Sequence, residues 1–304
     1  MQIVLTGGTG FIGKTLTRRL AQAGHRVILL TRRPEAVRQS SEDSVQIVSW
    51  DGKTLGPWVP SLNGADAVVN LAGEPIAAKR WTPAQKARIL SSRMDATGAL
   101  VAAIAQAKKR PSVLVNASAV GYYGSVESGD VTESHPRGRG FLADTCERWE
   151  QEARKAEALG VRVVLLRFGI VLEKDGGALA KMLPPFKFFA GGPLGSGRQW
   201  LPWIHREDLI GAVLFVLERA RLSGPVNVTA PEPVTMKQFC AALGKSLHRP
   251  SWAPVPAFLL RTALGEMSEM LLTGQRVIPQ KLETSGYRFR YPRIEEALYS
   301  VLQK

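Results

Sequence analysis

One stretch near the start constrains this chain more than any other. Ile3-Val4-Leu5 runs straight into Thr6-Gly7-Gly8-Thr9-Gly10-Phe11-Ile12-Gly13, after which Ile12, Leu16 and Leu20 recur at helical spacing. Gly24-His25-Arg26 ends that helical pattern, and residues 27–30 read as a second strand. Each glycine has a separate task if the turn receives a dinucleotide. Gly7 bends the chain, Gly10 lets backbone approach a pyrophosphate, and Gly13 lets the helix pack close to the strand. The helix N-terminus then offers N–H groups and partial positive charge to phosphates. A glycine motif alone is weak, but strand, glycines, helix and second strand here fall in register.

The end of the second strand narrows the ligand. Leu29-Leu30-Thr31-Arg32-Arg33-Pro34 has no acid until Glu35. A carboxylate there would bond a free ribose 2′-hydroxyl and repel a 2′-phosphate, so Thr31 and Arg32 favour NADP(H) as the cofactor. The third strand, 45–50, ends at Asp51-Gly52, where Asp51 suits a place beside an adenine and plain turn chemistry equally. A fourth strand, 67–71, exits through the small residues Ala72-Gly73, which leave space for a ligand at the end of a central parallel strand.

Thr82-Pro83-Ala84-Gln85 reads as a capping box that opens a long helix toward Gln106, carrying Arg88 and Arg93. The fifth strand, 112–116, delivers Ala117-Ser118-Ala119-Val120-Gly121-Tyr122-Tyr123-Gly124, and hydroxyls at the end of a buried strand are candidates for proton chemistry. A helix over about 143–159 and a sixth strand, 161–166, lead to Arg167-Phe168-Gly169. Beyond it the alternation loosens. A glycine-rich loop, 191–200, runs into Trp203-Ile204-His205-Arg206-Glu207-Asp208 and a helix over 209–218. From Pro231 onward helical segments are broken by Pro250, Pro254, Pro256 and Pro279, with no internal repeat.

Composition limits the remaining classes. The two cysteines, Cys146 and Cys240, have no metal-ligand or redox spacing and read as free thiols of a reducing cytoplasm. No metal site is expected. No apolar run approaches the ~20 residues a membrane helix needs, and the N-terminus is already strand one, so neither a leader nor a membrane partner is expected. The net charge of +14 raises nucleic acid as a partner, but the cations are dispersed. Their densest run, from Lys79 to Arg110, reads mostly as a solvated helix face, so nucleic acid is disfavoured. The expected partner is a small-molecule substrate, and an anionic one would give some of these cations a use. The oligomeric state stays open.

Taken in order, the turn at 6–13, Asn70-Leu71-Ala72-Gly73, Ser118 with Tyr122, Arg167-Phe168-Gly169 and the 203–208 motif resemble the successive motifs of the extended short-chain dehydrogenase/reductase superfamily. The doubled Tyr122-Tyr123, the 191–200 loop and Gly286-Tyr287-Arg288-Phe289 are similar, more narrowly, to its atypical "epimerase family protein" group, whose members often carry a C-terminal domain of unknown function. The resemblance spans essentially the whole chain. It implies an α/β fold, a Rossmann-type doubly wound parallel sheet with a smaller, mainly helical C-terminal part on the substrate side. The corresponding expectation is an NADP-binding domain over 1–170, a mixed substrate-loop region with further Rossmann elements over 171–230, and a helical cap over 231–304. It also implies that Gly7, Thr9, Gly10, Phe11, Ile12 and Gly13 hold the pyrophosphate, Thr31 and Arg32 the 2′-phosphate, and Leu71, Ala72 and Gly73 the middle of the cofactor. Arg93 would reach the cofactor phosphates, while Ala117, Ser118, Phe168 and Val171 would line the nicotinamide end.

The departure from that pattern matters as much. The superfamily's enzymes usually carry Tyr-x-x-x-Lys on the helix after strand five, where the lysine helps the tyrosine exchange a proton with substrate. None of the five tyrosines, at 122, 123, 287, 291 and 299, has lysine four residues later, and the usual positions fall near Leu142 and Cys146. Two classes therefore stand. One is an NADP(H)-dependent oxidoreductase or epimerase in which Ser118 with Tyr122 or Tyr123 handles the proton, and Arg198 and His205 fix the substrate. The other is a non-catalytic NADP(H)-responsive binding module. The tyrosine pair can equally be packing, and His205, just before a helix, can equally be structural.

Overall fold

The computed structural model describes residues 1–37 and 44–303. Its strands are β1 (Gln2–Thr6), β2 (Arg26–Thr31), β3 (Val45–Ser49), β4 (Ala67–Asn70), β5 (Val113–Ala119), β6 (Asp130–Val131), β7 (Arg162–Phe168), β8 (Ile170–Leu172), β9 (Trp200–Leu201), β10 (Trp203–His205), β11 (Gly224–Val228), β12 (Val234–Thr235) and β13 (Arg276–Val277). The helices are α1 (Gly13–Gln22), α2 (Pro83–Gln106), α3 (Phe141–Arg154), α4 (Gly177–Lys187), α5 (Arg206–Glu218), α6 (Met236–Leu247), α7 (Ala257–Leu264), α8 (Glu269–Leu272), α9 (Gln280–Thr284) and α10 (Ile294–Gln303).

Strand alternation decides the layering. Ile3 and Leu5 of β1 point into one core with Leu16 and Leu20 of α1 and Leu209, Val213 and Val216 of α5. Val4 points the other way, into a core with Leu100 and Ile104 of α2. Apolar residues on both faces suit a parallel sheet covered on both sides. The seven-stranded sheet has the order β11-β7-β5-β4-β1-β2-β3, and every pair in it is parallel. The order reverses between β1 and β4, which opens a crevice at their C-terminal ends. Thr6 lies opposite Asn70 there, and Asn70 opposite Asn116.

Most sequence-predicted elements appear within a residue or two. Two do not. Helix α4 ends over Pro184-Pro185, an unfavourable pair for a helix interior that the buried side chains Leu179, Leu183 and Phe186 outweigh. The edge strand β11 begins at Gly224-Pro225, a pair that reads as a turn, yet Val226 and Val228 are fully buried against β7. Residues 155–159, expected as helix, form a 3₁₀ turn that closes on Gly160.

The C-terminal part has its own core, in which Phe239 of α6 and Leu298 and Val301 of α10 meet Trp203 and Leu183. It is tied back to the sheet domain through β13 on β6 and through the Lys86–Glu266 ion pair, and Arg80 bonds the Thr262 carbonyl. The charged start of α2 is therefore partly a docking edge and not only a solvated face. Among the described residues no helix is long and apolar enough to cross a membrane.

Candidate functional site

The glycine turn sits at the mouth of the crevice. Gly7 has φ +68°, and a Cβ on it would lie 2.5 Å from the Leu71 carbonyl oxygen. A Cβ on Gly13 would lie 2.1 Å from the Gly7 oxygen, so only glycine lets α1 start this close to β1. Gly10 differs: it is exposed, and its Cβ would meet only the Gly7 oxygen, at 3.2 Å. No side chain caps α1 and no acid stands in its first turn, which leaves the helix end to an anionic ligand. Phe11 is covered by Gly176 and Gly177, where a Cβ would come within 2.6 and 3.3 Å of its ring. Thr9 is exposed and Ile12 half-buried.

Around the crevice, buried Thr31 accepts the Arg33 N–H, and exposed Arg32 runs across Gly52. Asp51 accepts from the backbone of Lys53 and Thr54 and from the Thr54 hydroxyl, and the last bond above all lowers its pKa. These bonds make it part of the 51–54 turn. Behind Leu71 and Ala72 lies a closed polar ladder. The Thr6 hydroxyl donates to Asn70 at 2.7 Å, and Asn70 donates to Asn116 at 2.6 Å and to Thr97 at 3.0 Å. Arg93 lies against Gly73, donates to the Glu74 and Ile89 carbonyls, and stacks on Trp149 at 4.9 Å. Ala117 is buried; Phe168 and Val171 are half-buried.

The catalytic candidates sit on a second network. Leu142, Cys146 and Glu150 recur every four residues on α3 and so share one face. Leu142 and Cys146 lie against Gly121, and Glu150 reaches the end of β5. Ser118 donates to Glu150 at 2.7 Å, and Arg167 donates to both Glu150 oxygens at 2.8 Å. Arg167 also donates to the Tyr123 hydroxyl at 3.0 Å, and that hydroxyl donates to Asn227 at 2.6 Å. Burial alone would lower the Arg167 pKa, but the Glu150 bonds reverse this and push it up.

This network sorts the three hydroxyls. Tyr123 is 1% exposed, doubly bonded, and pushed up to about 12 by burial. Both bonds and its burial place this hydroxyl in the packed network, away from solvent. The buried Ser118 hydroxyl is likewise committed to Glu150. Tyr122 is half-buried, its hydroxyl has no hydrogen-bond partner among the described residues, and the Arg167 guanidinium lies 3.5 Å from its ring centre.

The two substrate candidates separate as well. His205 is fully buried, caps α5 by accepting the Glu207 N–H, and packs on Tyr291 at 3.9 Å. These contacts account for one ring nitrogen and one ring face of His205 within the fold. Arg198 is exposed on the glycine-rich loop and makes no ion pair among the described residues.

Gln85, in the first turn of α2, is a buried polar residue that the sequence reading took only for a cap. Its backbone N–H completes half a capping box with Thr82, but both side-chain amide atoms are buried without a hydrogen-bond partner among the described residues. In α6, by contrast, Thr235 and Gln238 close both halves of the same motif. The Thr-x-x-Gln spacing was visible, but not the direction the amide takes.

The comparisons with known proteins decide the family. Residues 3–229 match the model described as the NAD dependent epimerase/dehydratase family. The chain belongs to that family. Residues 255–301 match a domain of unknown function, DUF1731. The chain is 44% identical over 303 residues to the epimerase family protein YfhF of Bacillus subtilis, covering 99% of this chain and 98% of that protein. It is also 44% identical over 307 residues to the chloroplastic epimerase family protein SDR39U1 homolog of Arabidopsis thaliana, covering 100% of this chain and 87% of the relative. The crystal structure of human epimerase family protein SDR39U1 with NADPH superposes with a TM-score of 0.89 at 34% identity, covering 100% of both chains. The epimerase-family chain presents a turn that fits the NAD(P) cofactors of its relatives. A Cβ on Gly7 or Gly13 would strike the backbone of Leu71 or of Gly7, so glycine keeps this turn tight, and no carboxylate opposes phosphate at the start of α1.

Proposed function

We propose that this family member is an NADP(H)-dependent oxidoreductase or epimerase with Tyr122 as its proton-exchanging residue. The observation that carries the reading is the Tyr122 site. Arg167, clamped by Glu150, holds the ring from one side at 3.5 Å and leaves the hydroxyl uncommitted at the end of β5. In a family built around a tyrosine proton donor, this is the candidate hydroxyl with no other bond to make.

Gly7, Thr9, Gly10, Phe11, Ile12 and Gly13 would hold the pyrophosphate, with Leu71, Ala72 and Gly73 beside it. Thr31 and Arg32 would take a 2′-phosphate, since Arg32 is exposed and no carboxylate stands at the end of β2. Ala117, Phe168 and Val171 would line the nicotinamide end, and Arg93 would support the 71–73 loop. When bound, the nicotinamide would supply or accept a hydride. Arg198 would meet an anionic part of the substrate. Two buried free thiols suit a reducing cytoplasm.

The test measures NADPH and NADH binding to the purified protein and then NADPH oxidation across a panel of carbonyl compounds and sugar nucleotides. Arg32→Glu should weaken NADPH about tenfold to a hundredfold and spare NADH. Tyr122→Phe should lower kcat roughly a hundredfold or more with NADPH affinity unchanged. Tight NADPH binding without turnover of any panel member would instead support the binding-module reading, which the apolar Leu142 and Cys146 positions favour.

A further inference from the structure

The structure assigns an anionic membrane surface as the docking partner of one face of the C-terminal part. Five of the eight large hydrophobic side chains exposed among the described residues belong to two neighbouring segments: Phe188, Phe189, Trp252, Phe258 and Leu259. Those segments lie side by side. The Trp252 indole N–H donates to the Phe189 carbonyl at 3.0 Å, the Ala253 N–H to Gly191, and the Gly195 N–H to Val255. Helix α7, which follows directly, reads Ala-Phe-Leu-Leu-Arg-Thr-Ala-Leu and has no buried residue at all. One side of this apolar helix is half-buried, with Arg80 on its Thr262 carbonyl, while Phe258 and Leu259 leave the other an unpartnered surface. Phe189 is moreover held at φ +61°, a strained conformation for an aromatic residue that keeps its ring at the surface.

Charge identifies the partner. Residues 176–205 and 233–265 carry Lys181, Lys187, Arg198, Lys237, Lys245, Arg249 and Arg261 and not one Asp or Glu. Of the flanking acids, Glu173 pairs with Arg206 and Glu266 with Lys86, Asp175 lines one cavity with Lys187, and Glu232 is exposed without an ion pair among the described residues. Arg249 lies 4.4 Å from the Phe189 ring centre, so cation and aromatic are already interleaved. Aromatic rings at the headgroup boundary with lysine and arginine toward anionic phosphates make up an interfacial membrane site. A second copy of the chain would set these cations against one another. Nucleic acid would stack on the rings but gain nothing from Leu259, Leu260 and Leu264, whereas an acyl boundary takes rings and aliphatic groups alike. No spanning helix is needed. The expectation of no membrane partner rested on the lack of one.

The experiment is sedimentation of the full chain with vesicles of equimolar phosphatidylglycerol and phosphatidylcholine, against phosphatidylcholine alone. Binding should require the anionic lipid, weaken with salt, and fall roughly thirtyfold in Lys187→Gln with Arg261→Gln. Phe188→Ser with Trp252→Ser should lower it roughly tenfold or more. All four side chains are exposed and outside the proposed cofactor and substrate residues, so unchanged NADPH binding verifies the fold of each variant. No binding to anionic vesicles at low salt, equal binding to neutral ones, or variants that bind like the parent would overturn the assignment. So would an oligonucleotide or an acidic polypeptide that, where vesicles do not, perturbs the tryptophan fluorescence of the parent but not that of Trp252→Ser.

Discussion

Cys146 shows how far a single residue can carry this site from its family pattern. It stands where the superfamily usually places lysine, and burial pushes its thiol from 9.0 to about 11, with the Glu150 carboxylate adding to the effect and Arg93 opposing it. A thiol so held is no nucleophile or base near neutral pH. The linkage has a definite sign. The unfolded chain releases this proton near pH 9 while the folded chain keeps it to about 11, so stability is intact below 9 and falls as pH rises through that window. Cys146→Ala should remove that part of the alkaline loss, about 2–3 kcal/mol by pH 11. Denaturant unfolding of both proteins from pH 8 to 11 checks it, and parallel curves would refute it.

At the scale of elements, the first turn divides its work among its glycines, and substitutions should separate the parts. Gly13→Ala drives a methyl group into the backbone of Gly7 and Gly8, which cannot turn aside as a side chain can. A loss of about 1–3 kcal/mol is expected, together with loss of cofactor binding. Gly10→Ala meets only one oxygen at 3.2 Å and has no positive φ, so its stability should stay within about 1 kcal/mol of the parent while NADPH affinity falls. Thermal unfolding paired with a cofactor titration reads both, and equal losses in the two variants would contradict this division. These elements were legible because β1, the turn, α1 and β2 answer to local patterns. Helix α4 was not, because its two prolines argue locally against a helix that buried Leu179, Leu183 and Phe186 stabilise.

At the scale of the molecule, the C-terminal part is held by contacts that no motif announces. Asp208 at the start of α5 accepts the backbone N–H groups of Arg290 and Tyr291 at 2.7 and 2.9 Å, and the Tyr287 hydroxyl bonds its carbonyl. Asp208→Ala strands two half-buried N–H groups and should cost about 2–4 kcal/mol. Hydrogen exchange should then rise across residues 287–303 before it rises in the sheet, and uniform acceleration would show that this carboxylate is no specific anchor. The sequence by itself determined the parallel sheet, the anion-accepting turn and the absence of Tyr-x-x-x-Lys, since each depends on residues close together along the chain. Only the tertiary structure decided that Tyr123 and Ser118 are committed, that His205 is a cap and that Tyr122 is left uncommitted. The bond from Tyr123 to Asn227 joins residues 104 apart, and no local pattern records which hydroxyl such a contact will claim.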